Sequence, residues 1–382
     1  MTTAMYAFSG DPITFGHIDI IERATRVFDK VIVAIGNNSK KNYTFNLEFR
    51  ESLAKEALKN YQNVEVTSFQ GLLVDFAYER GVSVIIRGIR NFKDVDYENE
   101  LFYVNMSQNK NIDTFFIPAS QNKVHISSSA VKELQRETGF VHEYVPICVK
   151  KQLEHILSNQ IIVGITGNIA SGKSYVAEKF VEWGKDKHEN IYNIDLDALG
   201  HKLFLEDSGL AIYVRGKLIE TFGDKIIKNQ LPKISIEIDR YILGEIVFGD
   251  LTKLEQLNKI MFEPILSLLR KEIHSKGKGI ILINAALLVE AKLMHLCNNN
   301  IILITSSESD QYKRLQTRGL SDEQIKRRLS SQLTNDQKLE KLSQQIRANN
   351  IGNIWTFNNN NSNDMYNFYA NVMYGLKKDY ER

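Results

Sequence analysis

Short apolar runs and helical patterns alternate along almost the whole chain. The first run, Met5-Tyr6-Ala7-Phe8, passes through Ser9-Gly10-Asp11-Pro12 into a helix from about His17, where Ile18, Ile21, Ala24 and Val27 recur at helical spacing. Apolar runs at 31–36, 64–66, 84–86 and 114–117 read as further strands. Between them, Leu47 to Leu58, Leu72 to Glu79, Tyr97 to Gln108 and Ser127 to Arg136 read as helices, the last with three serines available to cap it. Pro146 to Leu157 reads as a closing helix. A second series opens at Ile161-Ile162-Val163-Gly164-Ile165-Thr166, with a helix from about Lys173 and later strands at 191–194, 280–283 and 301–304. The stretch from Leu199 to His274 reads as mostly helical. Strands that alternate with helices imply α/β architecture, each parallel sheet covered on both faces. Two such domains are expected, 1–158 and 159–382, joined near Ser158-Asn159-Gln160. The Asn-rich run from Asn358 to Asn363 reads as a loop, and the tail carrying Tyr366, Tyr369 and Met373 as a terminal docking helix.

Composition narrows the function classes. The 382 residues are 43% hydrophobic, enough for large cores. Their 48 basic and 46 acidic residues leave a net charge of +2, which gives no support to a nucleic-acid partner. Cys148 and Cys297 lie far apart without metal or redox spacing, so inert thiols in a reducing compartment are expected. No apolar run is long enough to span a membrane and the N-terminus does not read as a signal peptide, which makes cytoplasmic the expected location.

The sharpest chemical signal is Gly167-Asn168-Ile169-Ala170-Ser171-Gly172-Lys173-Ser174, a full G-x-x-x-x-G-K-[ST] match between a strand and a helix. Its glycines let backbone N–H groups converge on phosphate oxygens at a positively polarised helix start. Lys173 would reach the β/γ-phosphates, and the Ser174 hydroxyl would hold Mg²⁺. Thr252-Lys253-Leu254-Glu255 ends in the wrong residue for guanine recognition, which argues against a GTPase. A small-molecule kinase needs a carboxylate beside the acceptor hydroxyl and arginines over the transferring phosphoryl group. Asp195-Leu196-Asp197 follows a strand and can supply the first. Arg314, Arg318, Arg327 and Arg328 follow the last strand and read either as an exposed helical face or as a phosphate-closing lid.

In the first half, Thr14-Phe15-Gly16-His17 sits at a helix start after a strand. An imidazole there can meet a triphosphate and stabilise charge on its α-phosphate, with the substrate's own phosphate as nucleophile. Arg87-Gly88-Ile89-Arg90 follows another strand, and His125-Ile126-Ser127-Ser128-Ser129 opens another helix, so both can converge on the same anion.

The motifs from Ile161 to Gly352 resemble dephospho-coenzyme A kinase. They are the glycine-rich loop, Asp195-x-Asp197, Asp239-Arg240-x-x-Leu243, Leu257-Asn258, Leu287-Leu288-Val289-Glu290, and Arg314-x-x-x-Arg318 leading to Arg328-Leu329-x-x-Gln332. The resemblance implies a P-loop kinase with ATP on Gly167, Ala170, Ser171, Gly172, Lys173, Ser174, Tyr175, Arg314 and Arg318, and lid contacts from Gln332. Lys173 and Asp197 would be catalytic, and Asp197 and Arg240 would meet dephospho-coenzyme A. Departures lie on the acceptor side, where Phe262-Glu263-Pro264 replaces His-Pro and Asn284 stands for the usual Asp.

From Met5 to Leu157 the chain resembles bacterial phosphopantetheine adenylyltransferase. Asp11-Pro12-Ile13-Thr14, Gly16-His17, Lys40-Lys41, Leu47-Glu48-x-Arg50, Leu72-Leu73, Arg87-Gly88-x-Arg90, Asp96-Tyr97-Glu98 and Ile126-Ser127-Ser128-Ser129 carry the match. The resemblance implies a Rossmann-like nucleotidyltransferase in which His17 supports the transition state. Ser9 and Lys41 would hold the phosphate of 4′-phosphopantetheine, with Lys40 as the alternative, and Leu73 and Arg87 would bound its pantetheine side. ATP would lie among Ser9, Gly10, His17, Gly88, Ile89, Arg90, Glu98 and the run Lys123, Val124, His125, Ile126, Ser127, Ser128 and Ser129. Phe8-Ser9-Gly10 stands where that family reads Gly-Thr-Phe, a change that puts the backbone path in question.

Together the resemblances imply one chain holding consecutive steps of coenzyme A synthesis, with Mg²⁺ as cofactor and ATP, 4′-phosphopantetheine and dephospho-coenzyme A as small-molecule partners. The alternative is an active adenylyltransferase joined to a P-loop domain that regulates or serves another substrate. Relatives of the first half assemble as hexamers, so a homo-oligomer through that half is one of two outcomes open to a fusion.

Overall fold

The computed structural model describes residues 2–38, 41–108, 111–230, 236–248, 250–360 and 364–380. The chain divides into two compact units, Met1–Leu153 and Glu154–Arg382. The division falls a few residues before the expected join near 158. The closing helix of the first unit, Ile147–Leu153, runs into a π-helical turn, Glu154–Ser158, that belongs to the second.

Five strands form the sheet of the first unit: β1 (Thr3–Phe8), β2 (Lys30–Ile35), β3 (Val64–Ser68), β4 (Val84–Ile89) and β5 (Asp113–Pro118). They pair in parallel in the order β3-β2-β1-β4-β5. Central strands β1 and β2 are buried on both faces, which is why they read as unbroken apolar runs. Met5, Ile32 and Ile85 pack against Val74 and Ala77 of the helix Leu73–Glu79. The chain order reverses between β1 and β4, so the crevice at their carboxyl ends is where such a sheet binds ligands. One helix starts at Phe92, earlier than the expected Tyr97, because Asn91 Oδ1 accepts from the Asp94 N–H at 3.0 Å and starts it there.

The second sheet holds β6 (Gln160–Gly167), β7 (Ile191–Asp195), β10 (Gly279–Asn284), β11 (Asn300–Thr305) and β12 (Asn353–Asn358), all parallel in the order β12-β11-β6-β10-β7. β8 (Ile227–Gln230) and β9 (Ile236–Ile238) form an antiparallel pair inside the stretch expected to be mostly helical. Around that pair stand the helices Leu196–Leu205, Gly209–Phe222, Arg240–Phe248 and Leu251–Ser275. Strand β12 escaped the sequence reading. It is an edge strand of half-buried residues with no continuous apolar run.

The tail forms the helix Met365–Tyr380. Tyr369 and Met373 enter the core of the second unit, where the Tyr369 ring stacks on Phe180 at 4.5 Å and its hydroxyl donates to the Val176 carbonyl at 2.8 Å. Tyr366 stays exposed, edge-on to Trp183. Of the Asn-rich run, 361–363 lie outside the described residues, Asn358 ends β12, and Asn359 has a role taken up below. Among the described residues, no helix is long and apolar enough to cross a membrane.

Candidate active sites

In the first unit, the loop after β1 leads into the helix Phe15–Ala24, capped at Thr14. The Thr14 backbone N–H donates to His17 Nδ1 at 3.1 Å, and Thr14 Oγ1 lies 2.9 Å from the same nitrogen. Nδ1 therefore carries the lone pair, and in the neutral ring the proton sits on Nε2. The imidazole stacks on Phe8 at 4.3 Å. Burial, reinforced by Arg90 and Lys41, holds its pKa down at about 3. His17 is thus a neutral hydrogen-bond donor at physiological pH.

The displaced glycine answers the question of the backbone path. Gly10 takes φ +60°, and a Cβ there would stand 3.2 Å from Ile35 and 3.3 Å from Phe8. Only glycine adopts that left-handed turn without strain. Lys41 Nζ donates to Ser9 Oγ at 3.2 Å, which brings the two expected phosphate ligands together; Lys40 lies outside the described residues. Asp11 accepts from the N–H groups of Thr44 and Phe45 and pairs with Lys132 at 2.5 Å, tying the loop to two other segments.

Arg87 and Glu98 form an ion pair at 2.8 Å, while Arg87 also donates to the Ala7 carbonyl at 3.1 Å. Burial raises the Glu98 pKa against the opposing pull of Arg87. Gly88 has no room to spare, since a Cβ would meet Ile20 Cγ1 at 3.0 Å. Arg90 grips Asp94 at 3.0 Å, beside Ile89 at the end of β4. Ser127 caps the helix Ser128–Arg136, and the Ser128 hydroxyl donates to the Pro12 carbonyl at 2.8 Å, so this helix start faces the loop after β1. A cavity of about 450 Å³ beside it is lined by Phe15, Lys123, His125, Ile126 and Tyr144 among others. Val124 and Ser129 are exposed and do not line it. Leu73 opens its helix and packs partly against the Met5 cluster.

Sequence reasoning gave Arg50 no role. Its guanidinium is buried, donates to the carbonyls of Ser9, Gly36 (3.0 Å) and Phe45 (3.2 Å), and stacks over Tyr43 at 4.0 Å. It clamps the backbone on which Ser9 and Lys41 are mounted. The available signal was its place in the Leu47-Glu48-x-Arg50 match, which names no partner for the guanidinium.

The P-loop of the second unit joins β6 to the helix Lys173–Asp186. Gly172 takes φ +91°, and a Cβ there would lie 2.0 Å from Asn359 Nδ2. Three side chains distant in sequence hold the loop. Arg314 donates to the Ala170 carbonyl at 2.9 Å, Asn359 to the Ser171 carbonyl at 2.9 Å, and Gln332 Oε1 accepts from the Ile169 N–H at 2.8 Å. Arg318 follows the same helix as Arg314 and is exposed, as is Tyr175. Lys173 Nζ stands 3.6 Å from Asp197, which lies in the first turn of the helix capped by Asp195. Asn284, at the end of β10, donates to Ser174 Oγ and to Asp195 Oδ2, each at 3.4 Å.

On the acceptor side, Arg240 contacts His201 Nε2 at 2.8 Å. Burial and then Arg240 lower the His201 pKa, and both Asp197 and Asp195 act on it in the opposite sense. His201 is a site neighbour that the sequence reading missed, signalled only by its position one turn after Asp197. Phe262-Glu263-Pro264 are absorbed into the helix Leu251–Ser275 with Phe262 partly exposed. Behind the P-loop, fully buried Lys338 pairs with Glu290 at 2.8 Å and donates to the Ala286 carbonyl at 3.0 Å.

Two family models match the chain. Residues 161–353 match dephospho-CoA kinase, and residues 9–134 match the cytidylyltransferase-like family. Over 151 residues the chain is 46% identical to a phosphopantetheine adenylyltransferase of Geotalea daltonii, covering 40% of this chain and 94% of that protein. The same name is carried by a Wolbachia protein from Brugia malayi, 45% identical over 150 residues (39% and 90% covered). A Psychromonas ingrahamii protein so named is 40% identical over 153 residues (40% and 95% covered). The chain belongs to the phosphopantetheine adenylyltransferase family in its first unit and to the dephospho-CoA kinase family in its second. The nucleotidyltransferase match at 9–134 includes His17, and the kinase match at 161–353 includes the P-loop and all of its sheet but the first residue of β6 and most of β12. The dephospho-CoA kinase match spans Arg314, Arg318, Gln332, Lys338 and the first residue of β12.

Proposed function

We propose that this chain performs two consecutive reactions of coenzyme A synthesis. The first unit transfers adenylyl from ATP to 4′-phosphopantetheine, giving dephospho-CoA and pyrophosphate. The second phosphorylates the ribose 3′-hydroxyl of that product with ATP. The observation that carries this reading is the pairing of two family matches with two separate parallel sheets, in each of which the loop after the first strand leads into a helix start. A silent or regulatory kinase half is not favoured, since Lys173, Ser174 and Asp197 stand together on the P-loop face.

In the first reaction, Ser9 and Lys41 hold the attacking phosphate, and Arg87 with Leu73 bounds the pantetheine arm. Neutral His17 donates from Nε2 to the α-phosphate, whose charge grows as the bond to pyrophosphate breaks. A neutral donor suits this task because it is not drawn into an ion pair with the ground-state triphosphate. The start of the helix Ser128–Arg136 and the segment Gly88 to Arg90 receive the nucleotide.

In the second reaction, the P-loop amides and Lys173 hold the triphosphate, and Arg314 and Arg318 close over it. Asp197 takes the proton of the 3′-hydroxyl, and Arg240 holds the incoming substrate. Lys173 beside Asp197 puts the acceptor's base next to the γ-phosphate's counter-charge. Ser174 Oγ and Asp195 Oδ2 each lie 3.4 Å from the Asn284 side-chain amide, and this set of hard oxygens fits a hard cation. Mg²⁺ bound there supplies charge neutralisation of the phosphates. A cytoplasmic location belongs to the same proposal and is supported by two buried cysteines that lack metal or redox spacing, with the Cys148 thiol pushed up to about 12 by burial.

The test is direct. Full-length protein with ATP, Mg²⁺ and 4′-phosphopantetheine is expected to release pyrophosphate, then ADP, and to accumulate coenzyme A. With each step assayed on its own substrate, 4′-phosphopantetheine or added dephospho-CoA, His17→Ala is expected to lose about 10²–10³-fold in the first rate alone, and Lys173→Ala to abolish only the second. Absence of both dephospho-CoA and coenzyme A with the unaltered chain defeats the proposal, and loss of both steps from either single change defeats the division of labour.

A further inference from the structure

P-loop enzymes hold the cation of the nucleotide with the loop's own hydroxyl and with a carboxylate near the ends of the strands that flank it. Here β10, hydrogen-bonded to the P-loop strand β6, ends on Asn284, a neutral amide. The neighbouring strand β7 places Asp195 directly across from it in register. Asn284 is fully buried, yet its Oδ1 has no hydrogen-bond partner, while its Nδ2 is shared at 3.4 Å between Ser174 Oγ and Asp195 Oδ2. A buried amide oxygen without a partner is costly, and a group of this kind calls for a missing donor or cation. As placed, Nδ2 rather than Oδ1 faces Ser174 and Asp195, so an ion between them takes the amide turned over, with Oδ1 and Nδ2 exchanged. Asp195 keeps one oxygen engaged in capping the helix Leu196–Leu205, where Oδ1 accepts from the Ala198 N–H at 3.0 Å, and presents Oδ2 toward Asn284.

We propose that the divalent cation of the second unit is bounded by Ser174 Oγ, the Asp195 carboxylate and Asn284 Oδ1. The site's single protein carboxylate thus comes from β7, because β10 ends on an amide. The donors are all hard oxygens, suited to Mg²⁺ or Mn²⁺ rather than to a softer metal. With one carboxylate instead of two, the site relies on the triphosphate for most of its negative charge. Metal and nucleotide therefore bind it as a unit, and the protein alone holds the ion weakly. This assignment separates the two acidic residues of the Asp195-x-Asp197 motif by task, Asp195 toward the metal and Asp197 toward the acceptor hydroxyl. It rests on the kinase reading given above.

The experiment titrates full-length protein with Mn²⁺ in the presence of a non-hydrolysable ATP analogue and counts free Mn²⁺ by electron paramagnetic resonance. The class of sites that Ser174→Ala removes belongs to the second unit. Asp195→Asn preserves shape and remains a good helix cap, so it tests charge alone. It is expected to weaken that class by about ten-fold or more, while Asn284→Asp tightens it and Asp197→Asn leaves it unmoved. Without the analogue, wild-type protein is expected to show weak binding that Asn284→Asp strengthens. An unchanged isotherm in Asp195→Asn, or a looser one in Asn284→Asp, overturns the assignment. Adenylyl transfer by the same preparations reports that the variants are folded in the first unit, and the thermal midpoint of the second unit reports the same there. ADP release from ATP and dephospho-CoA by the unaltered protein separates the two levels of the argument. If it is absent, the kinase reading fails; if it is present and the Asp195→Asn isotherm does not move, only the cation assignment fails.

Discussion

Neutral His17 is the element of the first site most open to a decisive measurement. Its pKa of about 3 results from burial, with Arg90 and Lys41 opposing a positive charge on the ring. An imidazole of ordinary pKa would be about 90% protonated at pH 5.5, so its neutral donor form would fall about ten-fold between pH 7.5 and 5.5. A group titrating at about 3 is protonated to well under 1% at pH 5.5 and loses nothing over that range. Histidine-labelled, ligand-free full-length protein can be followed by nitrogen NMR from pH 8 to pH 5, with His17→Asn assigning the signal among the 8 histidines. The expected result is no titration, and a lone-pair nitrogen at Nδ1 with the proton on Nε2 throughout, as the Thr14 N–H dictates. A midpoint above about 5, or the opposite tautomer, would refute the reasoning. Linkage supplies a second reading. The folded pKa lies below the unfolded one, so the unfolded chain binds more protons between about pH 6.5 and the folded value. Stability is then complete above pH 6.5 and declines as pH falls toward about 3, with a ceiling of about 1.4 kcal/mol per pH unit that solvent contact at the half-buried ring reduces. His17→Asn should remove that slope, and the two proteins should diverge only below pH 6.5.

Two further predictions concern the second unit, whose unfolding can be followed selectively because both tryptophans, Trp183 and Trp355, lie in it. Glu290→Ala strands buried Lys338 without its carboxylate and should cost about 3–5 kcal/mol in urea denaturation, whereas Lys338→Met in the same background should recover part of that loss. Tyr369→Phe deletes only the hydrogen bond to the Val176 carbonyl and should cost about 1 kcal/mol. Tyr369→Ala also empties the stack on Phe180 and should cost about 3–5 kcal/mol. Equal stability of the alanine variant and the parent would show that the tail helix is not part of the core.

What the sequence determined by itself is the set of features written in contiguous residues. The strands of both sheet centres announce themselves as apolar runs because both faces are buried, as in Val31 to Ile35 and Ile280 to Ile283. The P-loop is legible for the same reason of locality. Its glycines, Lys173 and Ser174 do their work within eight consecutive residues. His17 and Asp197 were legible because each sits in the first turn of a helix that follows a strand, Asp197 directly and His17 after a short loop.

Tertiary structure alone decided which distant groups complete those sites. Asn359 belongs to a run whose composition reads as loop, yet the pairing of β12 with β11 delivers it to the Ser171 carbonyl. Nothing near Arg50 marks the carbonyls of Ser9 and Gly36 as its partners, and nothing near Lys338 marks Glu290. Strand register sets Asp195 opposite Asn284, two residues with no sequence relation. Such partnerships depend on chain crossovers between strands, and a crossover leaves no periodicity in the residues it brings together. Local physics therefore wrote the phosphate loops and their lead residues into the sequence, and long-range packing chose the groups that hold them in place.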